Sequence, residues 1–209
     1  MLKLLGRATS GNVQKVMWLL DELSVPYTRE NIGGPYGGNR EPAYLKLNPN
    51  GIVPTLVDDD FALWESNAIL RYLARRERAF QFYPQDMKGR ALVEQWLDWQ
   101  TSVLTPVVIP LFVGVIFDKR APADMPEVLA AVEEKLIILD AALEGHPFLC
   151  GEGLSLAEFA LGPTVYRWFL FAAGTHPLPA LKAWYEQLAA RPAFEKNVMV
   201  GVPNFTPKS

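Results

Sequence analysis

A single cysteine, Cys150, and two histidines, His146 and His176, are all that this 209-residue chain offers for thiol or imidazole chemistry. One cysteine rules out an internal disulfide framework and any Cys-based metal cluster, and it suits a reducing compartment, where the thiol is simply a small packed residue. Both histidines stand in segments that read as loops and lack metal-ligand spacing, so no metal is expected. Net positive charge is missing too. The 20 Lys and Arg against 23 Asp and Glu give a formal charge of −3, which leaves no basic footprint for nucleic acid. The most apolar run, residues 103–117, is shorter than the roughly 20 residues a spanning helix needs. Pro106 and Pro110 interrupt it, so it reads as a buried helix, with no membrane partner. The opening MLKLLGRATSGNVQKV has an apolar stretch too short for a signal peptide and no small-residue cleavage site after it, which points to the cytoplasm.

Hydrophobic residues make up 50% of the chain and prolines number 17, enough for one generous core or two small ones, and two compact units fit best. Residues 1–78 alternate short strand-like runs with helices: 2–5, a helix over 12–23, a strand at 27–31, a short helix at 42–47, strands at 55–57 and 61–63, and a helix over 66–75. That is a β-α-β unit followed by β-β-α, an α/β domain. From residue 85 strand signals largely vanish and amphipathic segments follow at 87–117, 126–143, 156–173 and 179–190, predicting an all-helical domain over 87–209. The charged stretch closing on Tyr83-Pro84 marks a linker at 79–86. Ser155 and Glu158 have the spacing of a capping box, with Leu154 and Phe159 as its apolar staple.

The stretch 47–72, LNPNGIVPTLVDDDFALWESNAILRY, carries two devices for gripping a small peptide. An X-Pro bond is the only kind that turns cis cheaply, and at Val53-Pro54 it would present the N–H and C=O of Val53 to an extended ligand. Glu65 offers an acceptor for an ammonium, while the Ser66 hydroxyl and the free N–H groups of a helix start suit a carboxylate. A trans turn proline and a plain Ser66 N-cap explain each half alone. Their co-occurrence favours a site for a zwitterionic peptide end.

With these motifs the chain resembles the soluble glutathione transferases nearly end to end. The resemblance implies a thioredoxin-like N-terminal domain followed by an all-α domain, a homodimer, and glutathione as co-substrate with no other cofactor. It carries contact with the cysteinyl backbone of glutathione to Val53 and Pro54, and contact with the gamma-glutamyl end to Glu65 and Ser66. SGNVQKVMWLLDELSVPY resembles the theta-class region whose catalytic serine falls on Ser10, and the nu-class pattern of a hydroxyl followed two positions later by Asn fits Ser10 and Asn12. A free thiol is mostly protonated at neutral pH, and a hydroxyl donor at a helix N-terminus favours the thiolate. Ser10 or Asn12 also suits simple capping, and Thr9 is the neighbouring rival.

Departures from the family pattern narrow the reading. No cysteine stands at or beside Ser10, which counts against a mixed disulfide with the enzyme, and the zeta-class serine, cysteine and arginine motif is absent. Ile52 occupies a position where many relatives carry Lys or Arg toward the glycine carboxylate of glutathione. Arg40 is the best replacement, beside Asn39 at a theta-class histidine position, although a solvated Arg40 serves as well. Trp99 and Ser102 are candidates for the electrophile site, against packing as the alternative, and Trp96, Tyr166, Arg167 and Trp168 read as packing. The expected activity is conjugation of glutathione to apolar electrophiles. The alternatives are a glutathione-dependent disulfide or peroxide reductase, and a non-catalytic glutathione-binding or interaction module.

Overall fold

The computed structural model describes residues 1–171, 174 and 176–202. Its sheet has the order β2-β1-β3-β4: β1 (Leu2–Leu5) runs parallel to β2 (Tyr27–Glu30) and antiparallel to β3 (Thr55–Asp58), which pairs antiparallel with β4 (Phe61–Trp64). The period-2 pattern of LKLL sets the pleat, with Leu2 and Leu4 buried and Lys3 outside. The crossover helix α1 (Gly11–Glu22) is buried continuously from Val13 to Leu20. A helix buried on successive positions must be covered on more than one side, and α3 (Ser66–Arg76) and α7 (Leu156–Leu170) both pack on α1. A four-residue helix, α2 (Pro42–Leu45), precedes the loop into β3.

Helices α4 (Met87–Trp99) and α5 (Thr105–Ile116) are joined without a break through a π-helical turn, Gln100–Leu104. The helical segment expected at 87–117 is therefore one helix, and only the interruption expected at Pro106 and Pro110 is corrected. Pro106 has no N–H for the Ser102 carbonyl and Pro110 none for that of Pro106. The ladder shifts to wider spacing over 100–104, and the Thr105 hydroxyl donates to the Gln100 carbonyl at 2.7 Å. The continuous Met87–Ile116 helix, 30 residues with a mean hydropathy of 1.7 over its most apolar window, has the length and apolarity of a bilayer span. Here it delivers Val93, Leu97, Leu104, Val108 and Leu111 into the core.

The remaining helices are α6 (Pro126–Leu143), α7, α8 (Pro179–Ala189) and α9 (Pro192–Asn197). The expected end of the third helical segment at 172–173 lies outside the described residues, as do residues 203–209 of the predicted second domain. Helix α7 opens on the capping box: the buried Glu158 carboxylate accepts from the Ser155 N–H (2.7 Å), the Ser155 hydroxyl (2.8 Å) and the Leu149 N–H (2.9 Å). Helix α9, too short to show periodicity, was not foreseen. It is tied to the end of α1 by the two Arg191–Glu22 bonds, each 2.7 Å, and by Asn197 donating to Asp21 at 2.8 Å. At the seam of α1 with α7 the Trp18 ring lies 4.3 Å from Phe159 and 4.8 Å from Phe194, centroid to centroid.

Candidate active site

The loop between β1 and α1 ends at Ser10, the N-cap of α1, with extended backbone (φ −82°, ψ 123°). Its carbonyl accepts from the N–H groups of Val13 and Gln14, both at 2.9 Å, while its hydroxyl makes no capping bond. That hydroxyl is therefore available to a ligand beside the first N–H groups of the helix. Ser10 lines a cavity of about 490 Å³ together with Thr9, Gly11 and Asn12 on one side and α5 and α7 on the other. The α5 wall is apolar: Val108, Ile109, Phe112, Val113 and Ile116 recur with helical period and face the space.

The segment before β3 is fixed by polar side chains. Ile52's carbonyl accepts from the Tyr44 hydroxyl (2.6 Å) and from Asn48 Nδ2 (2.8 Å). The Val53-Pro54 bond is cis. Among the described residues, no backbone partner takes the Val53 N–H or C=O, so that edge is open to an extended chain. Across the sheet, Glu65 caps α3 at φ +70° with its side chain making no cap bond. Such a conformation in a residue with a Cβ costs on the order of 1–3 kcal/mol and clusters at ligand clamps. Ser66, next to it, donates to Asn12 Oδ1 at 3.3 Å, which brings the two predicted ends of the site into contact.

Lys15 lies beneath this junction, 2% exposed, one turn along α1 from Asn12. Its ammonium donates to Gln100 Oε1 at 2.8 Å and sits 3.4 Å from Ser66 Oγ and 3.5 Å from Asn67 Oδ1. Burial pulls its pKa down to about 7, and the nearby Glu65 charge opposes that only in part. Arg167, from α7, reaches under the α1 start and donates to the Thr9 carbonyl at 2.8 Å. Its pKa falls to about 10, first through burial and then through the neighbouring Arg7 charge.

Residues 9–76 match the family model for the glutathione S-transferase N-terminal domain, and residues 122–187 match that for the C-terminal domain. Glutathione S-transferase GstB of Escherichia coli is 35% identical over 97% of this chain and all of its own length. The chain belongs to the glutathione S-transferase family. A crystal structure of the theta-class glutathione S-transferase from Xanthomonas axonopodis pv. citri, with glutathione bound, superposes on this transferase with a TM-score of 0.91 at 42% identity, covering 96% of this chain and 98% of the other. The disulfide-bond oxidoreductase YfcG of E. coli is 32% identical over 89% of each chain. The sheet with α1 to α3 is the thioredoxin-like part of this glutathione S-transferase, and the helices from α4 onward are its all-α part.

Not every predicted site residue reaches the cavity of this transferase. Trp99 and Ser102 do not line it: Trp99 packs edge-on against Trp96 at 5.3 Å, and exposed Ser102 donates to the Asp98 carbonyl at 2.8 Å. Of the π turn, Gln100 alone lines the cavity, and Thr105 follows it at the start of α5. Asn39 and Arg40 brace the turn before the cis bond, donating to the carbonyls of Gly51 (2.7 Å) and Asn50 (3.3 Å), and Ile52's side chain is exposed. Sequence reasoning missed Arg7, Lys15 and Gln100, and it assigned Arg167 to packing. The available signal was a lysine directly ahead of the apolar run Val16 to Leu20, on a helix with little polar face to receive it.

Proposed function

We propose that this glutathione S-transferase conjugates glutathione, held as the thiolate, to apolar electrophiles bound against α5. Val53 and Pro54 take the cysteinyl backbone, Glu65 and Ser66 the gamma-glutamyl end, and Asn39 and Arg40 border the glycine end beside Ile52. Ser10 donates to the sulfur, with Asn12 in support. Lys15, behind Ser66, supplies positive potential toward the gamma-glutamyl carboxylate. The observation that carries this reading is the uncommitted Ser10 hydroxyl at the α1 start, facing a cavity whose α5 wall is apolar. The thiol proton passes to solvent, the thiolate attacks the electrophilic carbon, and the leaving group departs with its bonding pair. An assay with glutathione and an aryl halide tests it; no rate above the uncatalysed one, with glutathione bound, would overturn it.

The likeness to the YfcG oxidoreductase favours a second reading, in which two glutathiones reduce a disulfide and leave as oxidised glutathione, with no protein cysteine involved. Turnover of a small mixed disulfide in place of aryl halides would select it. The working molecule in this proposal is a cytoplasmic homodimer without a metal, with its glutathione domain over 1–78, a linker over 79–86 and the helical domain over 87–209.

A further inference from the structure

Among the described residues, Arg7, Lys15 and Arg167 line the cavity with cationic side chains, and no Asp or Glu lines it. Lys15 is accounted for by acceptors on α3 and the π turn. Among the described residues the two guanidiniums meet no anion: Arg167 has only neutral acceptors, the Thr9 carbonyl at 2.8 Å and Gln14 Oε1 at 3.5 Å, and neither guanidinium forms an ion pair. Arg167 is only 8% exposed, lies over the Phe112 ring at 5.3 Å, and has a buried Nε with no acceptor. Arg7 is held toward the same space by the turn at Gly34 (φ +60°), where a Cβ would stand 3.0 Å from the Arg7 Cδ and Nε. Two like charges and a helix N-terminus therefore converge beside an apolar wall. Burying a charge without a partner is costly, and the surroundings favour an anion that completes the set. The thiolate of bound glutathione brings one negative charge to Ser10, which leaves positive potential unmatched.

We infer that the second substrate is an amphiphilic anion, an apolar body bearing a carboxylate, whose body lies on α5 and whose carboxylate pairs with Arg7 and Arg167. The inference rests on the conjugation reading above and names its substrate class. In the test reaction glutathione meets 4-(chloromethyl)benzoate or its neutral isostere 4-(chloromethyl)benzamide. The S–C bond forms at the benzylic carbon, the C–Cl bond breaks, and chloride leaves with the electron pair.

After division by the uncatalysed rates, kcat/KM should favour the benzoate by about tenfold or more, the scale of a charge-assisted hydrogen bond. Arg7→Met should bring the two substrates within about twofold of each other, and Arg7→Lys should keep part of the preference. A wild-type preference for the amide, or a ratio unmoved by Arg7→Met, overturns the inference. If neither chloride reacts, the conjugation reading falls separately, and calorimetry with the unreactive pair 4-ethylbenzoate and 4-ethylbenzamide on glutathione-saturated protein decides the anion site. Tighter benzoate binding that is lost in Arg7→Met supports the site. Equal binding, or none, overturns it.

Discussion

Ser10 and Lys15 stand on the same helix, one with its side chain uncommitted and the other fully engaged, and substitution separates their roles. Ser10→Ala should leave glutathione affinity similar and raise the pKa of the bound thiol, each pH unit corresponding to about 1.36 kcal/mol lost from the anion. The ultraviolet thiolate absorbance of the complex, followed against pH, reads this directly, and Thr9→Ala should shift it much less. Lys15 is read through stability. Its folded pKa of about 7 lies below the ordinary lysine value of 10.5, so between those values the unfolded chain binds more protons and stability rises with pH. Below about 7 both states are protonated and the whole cost of the buried charge is present. Lys15→Met should therefore flatten that rise and help most on the acid side, as urea unfolding at about pH 6 and about pH 9 would reveal. Cys150, its thiol pushed up to about 11 by burial, should resist iodoacetamide at neutral pH in the folded protein. Ser10 and Val53 were legible because local backbone chemistry, a helix start and an X-Pro bond, fixes their surroundings. Lys15 and Arg167 were not, because their meaning comes from residues 85 and 158 positions away in the chain.

At the level of elements, the strands and helices of the first half fall within a residue or two of their patterned positions, since period-2 and period-3.6 hydrophobicity is a local signal. The α7 start was legible for the same reason, as a hydroxyl three residues ahead of a glutamate. Glu158→Ala would strand the buried Ser155 N–H and the half-buried Leu149 N–H and should cost about 2 kcal/mol in urea unfolding. The π turn was not legible. The helical segment over 87–117 was expected, but nothing local marks the widened turn inside it, where the hydroxyls of Thr101, Ser102 and Thr105 each donate to a carbonyl of the same helix. Because this turn also supplies Gln100 to Lys15, Gln100→Leu should destabilise the protein more at acid than at alkaline pH.

At the scale of the molecule, sedimentation at micromolar concentration should give one species at about twice the 23.4 kDa chain mass, and a single 23.4 kDa species would remove the homodimer from the proposal. The two halves of each chain meet where Gly162 of α7 faces Trp18 of α1. A Cβ there would lie 3.0 Å from the Trp18 ring and 2.9 Å from that of Phe194, so Gly162→Ala should cost about 1–3 kcal/mol by overpacking. That close contact couples the two halves, and they are expected to melt together. Far-ultraviolet dichroism, dominated by the helices, and tryptophan fluorescence, to which Trp18 contributes, should lose their native signals at one temperature. Glutathione, gripped only by the strand-bearing half in the proposal, should raise that shared temperature for both signals by mass action. Heat resistance of the distal helices would then serve as a gauge of how much cosubstrate the enzyme holds.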